Sequence, residues 1–163
     1  MGMFFGLAIA LSFLENLLPP MPNGIKPGLS NIVTMYILFF AGSKSAYTMA
    51  ILKSLFAGLT RGVTAGFMSI AGGILSVSIM VLFSKKKKNP FSYLMISIFG
   101  GISHNIGQLL MSCFIMKSWI TIYYAPVLIL SGVIMGILTG ITLKCILPVL
   151  EKMNFKIHYN KNK

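Results

Sequence analysis

Apolar runs near Gly2–Leu18, Leu29–Ala41, Ala46–Leu59, Val63–Phe83, Phe91–Met116 and Ile120–Leu147 divide the chain into six stretches, separated by short polar or proline-bearing breaks. A soluble domain of this size would interleave charged and apolar faces. Here the charges fall almost entirely between the runs. The pattern predicts an all-α integral membrane protein, a compact bundle of six transmembrane helices, because only helices and closed barrels satisfy their backbone inside a bilayer. The second and third runs hold roughly 14 residues each, about 21 Å of helix against a hydrocarbon core of about 30 Å. They form either two spans or one re-entrant hairpin, which would leave four full spans. The domain division is residues 1–148, a single transmembrane helical domain, and 149–163, a basic cytoplasmic tail. That tail alternates apolar and basic positions (Met153, Phe155 and Ile157 among lysines) and suits the inner membrane surface.

Charge sets the orientation. Fourteen basic residues against two acidic ones give a net charge of +12, while only 10% of the chain is charged and 56% is hydrophobic. In a soluble protein that balance would suggest nucleic acid, but clustering at the ends of apolar runs points to lipid headgroups and topology instead. With a cytoplasmic amino terminus, Lys44, Lys85 to Lys88, Lys144, Lys152, Lys156, Lys161 and Lys163 lie inside, and Lys26, Arg61 and Lys117 lie outside. Ten against three is a strong positive-inside bias, so both termini are expected in the cytoplasm of a bacterial cell, with the chain multi-pass in its cytoplasmic membrane. The first run lacks a basic leader and a small-residue cleavage site, so it reads as a span rather than a cleaved signal. Cys113 and Cys145 fall near opposite ends of their helices and read as small apolar residues, not as a disulfide.

Small-residue stripes come next. Gly132, Gly136 and Gly140 repeat every four residues in the last run, and Gly66, Ser69, Gly73 and Ser76 make a similar stripe in the fourth. Both read as internal helix packing. A third stripe, Gly2, Gly6 and Ala10, lies near the cytoplasmic end of the first run and reads as packing or as a docking surface for another membrane protein.

Polar residues inside apolar runs carry the candidate chemistry. Ser97, Gly101, His104, Gln108 and Ser112 share one helix face, with Asn105 beside them. Long polar side chains are costly against lipid, so this face should line the bundle interior or a cavity, as a ligand-facing wall or as interhelical glue. Glu15 and Asn16 sit near the outer end of the first run, Asn31 just inside the second, and Lys53 within the third, on the same small face as Ala46, Ala50 and Ala57. Arg61 closes that helix. On this topology the set converges on the outer half, beneath Pro19-Pro20-Met21-Pro22-Asn23-Gly24-Ile25-Lys26-Pro27-Gly28. Four prolines in nine residues make that loop stiff and extended, a lid or a rigid connector. Glu15 could pair with Lys53 or Arg61; otherwise the surplus positive charge implies an anionic, carboxylate-bearing ligand.

The segment Leu14-Glu15-Asn16-Leu17-Leu18-Pro19-Pro20, continued by Gly24-Ile25-Lys26-Pro27-Gly28-Leu29-Ser30-Asn31, resembles the Gx transporter family, also labelled heptaprenyl diphosphate synthase component I. Ser103-His104-Asn105-Ile106-Gly107-Gln108-Leu109 is similar to a second motif of that family, and Tyr124-Ala125-Pro126-Val127-Leu128 extends the likeness, which covers roughly Gly2 to Leu147. The family in turn resembles the substrate-binding S components of energy-coupling factor (ECF) transporters. This implies an N-in six-helix protein that captures a small metabolite near the outer face. Such a protein docks through small residues of its first helix, here Gly6 and Ala10 with Gly2, onto a coupling membrane protein driven by two ATPases. The stripe here is richer in glycine than is usual. The chain itself has no phosphate-binding glycine loop, so ATP hydrolysis would belong to another subunit.

Synthase chemistry fits the residues poorly. Ionising a prenyl diphosphate takes clustered aspartates to hold magnesium, and this chain has no aspartate; its acids are Glu15 and Glu151. No enzyme activity, cofactor or metal is expected. Two readings remain. One is the substrate-binding subunit of an ECF-type importer for a small, anionic metabolite such as a vitamin or a quinone or isoprenoid precursor. Its binding residues would be Glu15, Asn16, Lys26, Asn31, Lys53, Arg61, His104, Asn105 and Gln108. The other is a non-catalytic accessory or scaffold protein of a quinone-biosynthesis or membrane redox complex. Small-molecule substrate and membrane lipid are the expected partners, and nucleic acid is not.

Overall fold

A computed structural model of the chain describes residues 6, 9, 10, 13, 30–84 and 92–152. Helix α1 covers Ser30–Ala41, α2 Ser43–Arg61, α3 Val63–Ser84, α4 Tyr93–Met116 and α5 Ala125–Lys152, with a 3-10 helix at Trp119–Tyr124 between the last two. Gly6, Ile9, Ala10 and Phe13 are also helical, and the described residues contain no strand. Among the described residues, three helices are long and apolar enough to cross a membrane: Val63–Ser84, Tyr93–Met116 and the stretch Trp119–Cys145.

The two short predicted runs resolve differently. The third extends to nineteen residues, because Lys44 and Arg61 are admitted at its ends, and reaches about 28 Å. The second is described as helix over twelve residues, about 18 Å. Its surroundings explain its stability. Val33, Thr34 and Met35, and again Ile37, Leu38 and Phe39, are all buried, so α1 is enclosed on every side rather than on one stripe. It forms the core of the bundle, with Tyr36 stacked on Phe40 and Phe39 edge-on to Tyr93 of α4.

Single glycines reverse the chain on either side of α2. Gly42 and Gly62 have φ of 86° and 97°, a backbone region that L side chains rarely adopt. Both turns are closed by main-chain hydrogen bonds, Ala46 N–H to the Gly42 carbonyl and Gly66 N–H to the Gly62 carbonyl. Helices α2 to α5 then pack consecutively and antiparallel. Gly58 meets Gly66 and Ser54 bonds Ser69 across α2 and α3. Gly107 meets Gly72 across α3 and α4, and Gly132, Gly136 and Gly140 lie on the α4 backbone at Ile102, Ile98 and Leu94. The glycine stripes expected to serve internal packing do so.

Polarity runs inside out relative to a water-soluble protein. Leu55, Leu59, Phe67, Leu82, Phe114, Leu130 and Ile134 are exposed, while Lys53, His104, Asn105 and five serines are buried. Lipid wets such a surface without cost, whereas polar groups gain by turning inward to find partners. Helix α5 continues through Pro148 to Lys152, past the position expected to begin the tail.

Candidate functional site

Ala46, Ala50, Lys53 and Ala57 recur at helical spacing and are all buried, so one face of α2 is small except for a single ammonium. Lys53 is 7% exposed. Its Nζ donates to Oδ1 of Asn31 at 2.5 Å, tying the middle of α2 to the start of the described part of α1. A charge held inside the bundle needs such partners, since desolvation otherwise costs several kcal/mol.

The polar face of α4 divides between two neighbours. His104 and Gln108 bond each other one turn apart, Nε2 to Nε2 at 3.1 Å, and both side chains lie against Gly72 of α3. Added bulk at Gly72 would strike them: a Cβ there would sit 2.9 Å from Gln108 Cγ and 3.0 Å from His104 Nδ1. Asn105 turns the other way. Its amide donates to the Leu128 carbonyl at 2.7 Å and reaches Ser131 Oγ at 3.5 Å, so it holds α5. Ser97 and Ser112 are buried on the same stripe.

Between α1, α3, α4 and α5 lies a cavity of about 20 Å³. Its polar wall is Asn31, Ser76, Ser97 and Thr139; its apolar wall is Met35, Met80 and Met135, with Gly100, Gly101 and Gly136 completing it. Ser76 and Met80 lie in the second half of α3, Ser97, Gly100 and Gly101 in the first half of α4, and Met135, Gly136 and Thr139 near the middle of α5. Bonded to Lys53, Asn31 is level with the middle of α2, about half-way through the bundle. The sequence placed it near the outer end, as expected of a full-length second span.

The structure thus brings Asn31 and Lys53 together and puts Asn31 on the cavity wall. His104 and Gln108 form a second pair, against α3, and Asn105 a third contact, on α5. Arg61, the last residue of α2, is exposed and does not line the cavity. Glu15, Asn16, Lys26 and Gly2 lie outside the described residues, as does the proline-rich loop. Gly6 and Ala10 are exposed, and a Cβ on Gly6 would meet nothing within 4 Å. Sequence reasoning missed Thr139 and the three methionines of the wall. Among the nine methionines of the apolar runs, nothing in the spacing marks these three.

Among the described residues no group of histidine, cysteine and acidic side chains could hold a metal ion. Neither the curated proteins nor the solved structures include a match to this chain. The glycine-seamed helices, the inward polar face of α4 and the buried Lys53 all fall within residues 4–146, which match the family described as Heptaprenyl diphosphate synthase component I, and the chain belongs to that family.

Proposed function

We propose that this chain is the substrate-binding membrane subunit of an importer, similar to the S components of ECF transporters, for a small anionic metabolite such as a vitamin or a quinone or isoprenoid precursor. In this reading both termini face the cytoplasm, six helices span the membrane, and capture occurs from the outer side. The chain performs no chemistry on its ligand. The observation that carries the reading is Lys53, an ammonium buried at mid-helix and bonded to Asn31 on the wall of a cavity. An ionisable side chain inside a membrane bundle is costly, and ligand or ion pathways are its usual reason for being there. The exposed face of Gly6, Ala10 and Phe13 supports docking to a coupling protein with two ATPase subunits.

The test is mass spectrometry of small molecules released from the detergent-purified protein. A stoichiometric anionic metabolite, lost in Lys53→Met while the variant stays monodisperse, is the expected result. Wild-type protein that releases nothing and shows no thermal shift with vitamins or quinone precursors would sink it. A second reading, a non-catalytic accessory subunit of a quinone-biosynthesis complex, is favoured by the family's description as a synthase component. Under that reading, Gly6→Leu or Ala10→Leu removes co-purifying membrane partners, and Lys53→Met does not alter function.

A further inference from the structure

The hydrogen-bonding inventory of the cavity selects the chemistry of its guest. Ser76 Oγ donates to the Gly100 carbonyl at 2.8 Å, and Thr139 Oγ1 donates to the Met135 carbonyl at 2.8 Å. Their protons are committed, so what they can offer a guest is oxygen lone pairs. Ser97 is the opposite case. It is 3% exposed, it lines the cavity, and its Oγ has no hydrogen-bond partner among the described residues. Its proton and lone pairs are both available. A buried hydroxyl without a partner costs about 1–3 kcal/mol, so this atom calls for one.

We propose that the cavity seats a single hydroxyl oxygen, supplied by water in the unloaded protein and by an alcohol group of the ligand in the loaded one. Such an oxygen accepts from Ser97 and donates toward Ser76 or Thr139. Asn31 also lines the cavity and, with its Oδ1 taken by Lys53, brings amide N–H donors. A carboxylate or phosphate oxygen could accept from Ser97 and Asn31 but would face lone pairs at Ser76 and Thr139, whereas a hydroxyl can both accept and donate and so suits all four. Among the described residues no charged side chain lines the cavity; the ammonium of Lys53 donates to Asn31 Oδ1. The volume agrees, since one water needs roughly 10–15 Å³ on this measure and the cavity has about 20 Å³. Room for the rest of a ligand comes from the wall. Met35, Met80 and Met135 are unbranched and can change rotamer at little cost, whereas the opposite side is glycine backbone. The alcohol half of this inference rests on the importer reading, and places the ligand's hydroxyl here with its anionic group elsewhere. The water half stands without it.

The test uses the full-length protein in detergent or lipid crystals. The expected result is density for one oxygen within hydrogen-bond distance of Ser97 Oγ, lost in Ser97→Ala, with Tm lowered by about 2–4 °C. Xenon entering the wild-type cavity under pressure, or Ser97→Ala raising Tm, would mean a dry site and overturn the proposal. Single-atom density with no compound released identifies water as the source. Density continuing past the first atom, with release of a hydroxyl-bearing compound, identifies the ligand. The two proposals fail separately. An occupied oxygen site in a protein that releases nothing, with or without Lys53→Met, removes the importer and keeps the seat; a xenon-filled cavity in a protein that releases an anionic metabolite does the reverse.

Discussion

Two adjoining regions of this bundle solve opposite problems with some of the same residues. Along the α4–α5 seam, Gly132, Gly136 and Gly140 let the two backbones touch, and a Cβ on Gly136 would come within 2.5 Å of Ile98 Cα. A few ångströms away Gly101 and Gly136 also border the cavity, but there the facing groups are methionines and hydroxyls. Backbone against backbone has no freedom to adjust. Thioether chains against a small void do. The seam therefore sets the geometry of α4 and α5, and the cavity beside it is where the interior can yield.

The contrast can be broken most severely at the seam. Gly136→Leu should prevent recovery of monodisperse protein by size-exclusion chromatography, since the displaced atoms are main chain and overpacking of this kind costs at least 1–3 kcal/mol. Asn105→Leu should come next. It removes the amide that caps the Leu128 carbonyl, and interhelical hydrogen bonds in membranes are worth roughly 0.6–1.7 kcal/mol, read as a lower Tm. Met135→Leu, next to Gly136 in sequence but on the cavity wall, should cost under about 1.5 kcal/mol and leave a monodisperse protein; a collapse as complete as that of Gly136→Leu would erase the distinction. Smallest of all is Gly6→Leu. Nothing lies within 4 Å of its added Cβ, so thermal stability should stay within about 0.5 kcal/mol of wild type, and any effect should show only in partners that co-purify.

Helical periodicity carried much of the interior. The small face of α2 around Lys53, the glycine stripe of α5 and the polar stripe of α4 were all legible, because spacings of three and four place residues on one face whatever that face meets. Which neighbour each residue meets was not legible. Asn105 and His104 are adjacent in sequence, yet the 100° turn between them sends one to α5 and the other to α3. The reach of α2 was underread because a window of apolar residues excludes Lys44 and Arg61, which a helix end tolerates.

Sequence alone determined the class of this protein: apolar runs too long and too free of charge for water, and polar groups at intervals that one inward face can shelter. It also determined the close seams, since glycine every four residues permits a backbone approach that no other residue allows. Tertiary structure decided that α1 is the enclosed core helix, that Asn31 stands half-way through the bundle against Lys53, and that three methionines from three helices share a wall with Ser97. Those facts depend on the distance between helices that are far apart in the chain. Local periodicity contains no measure of that distance.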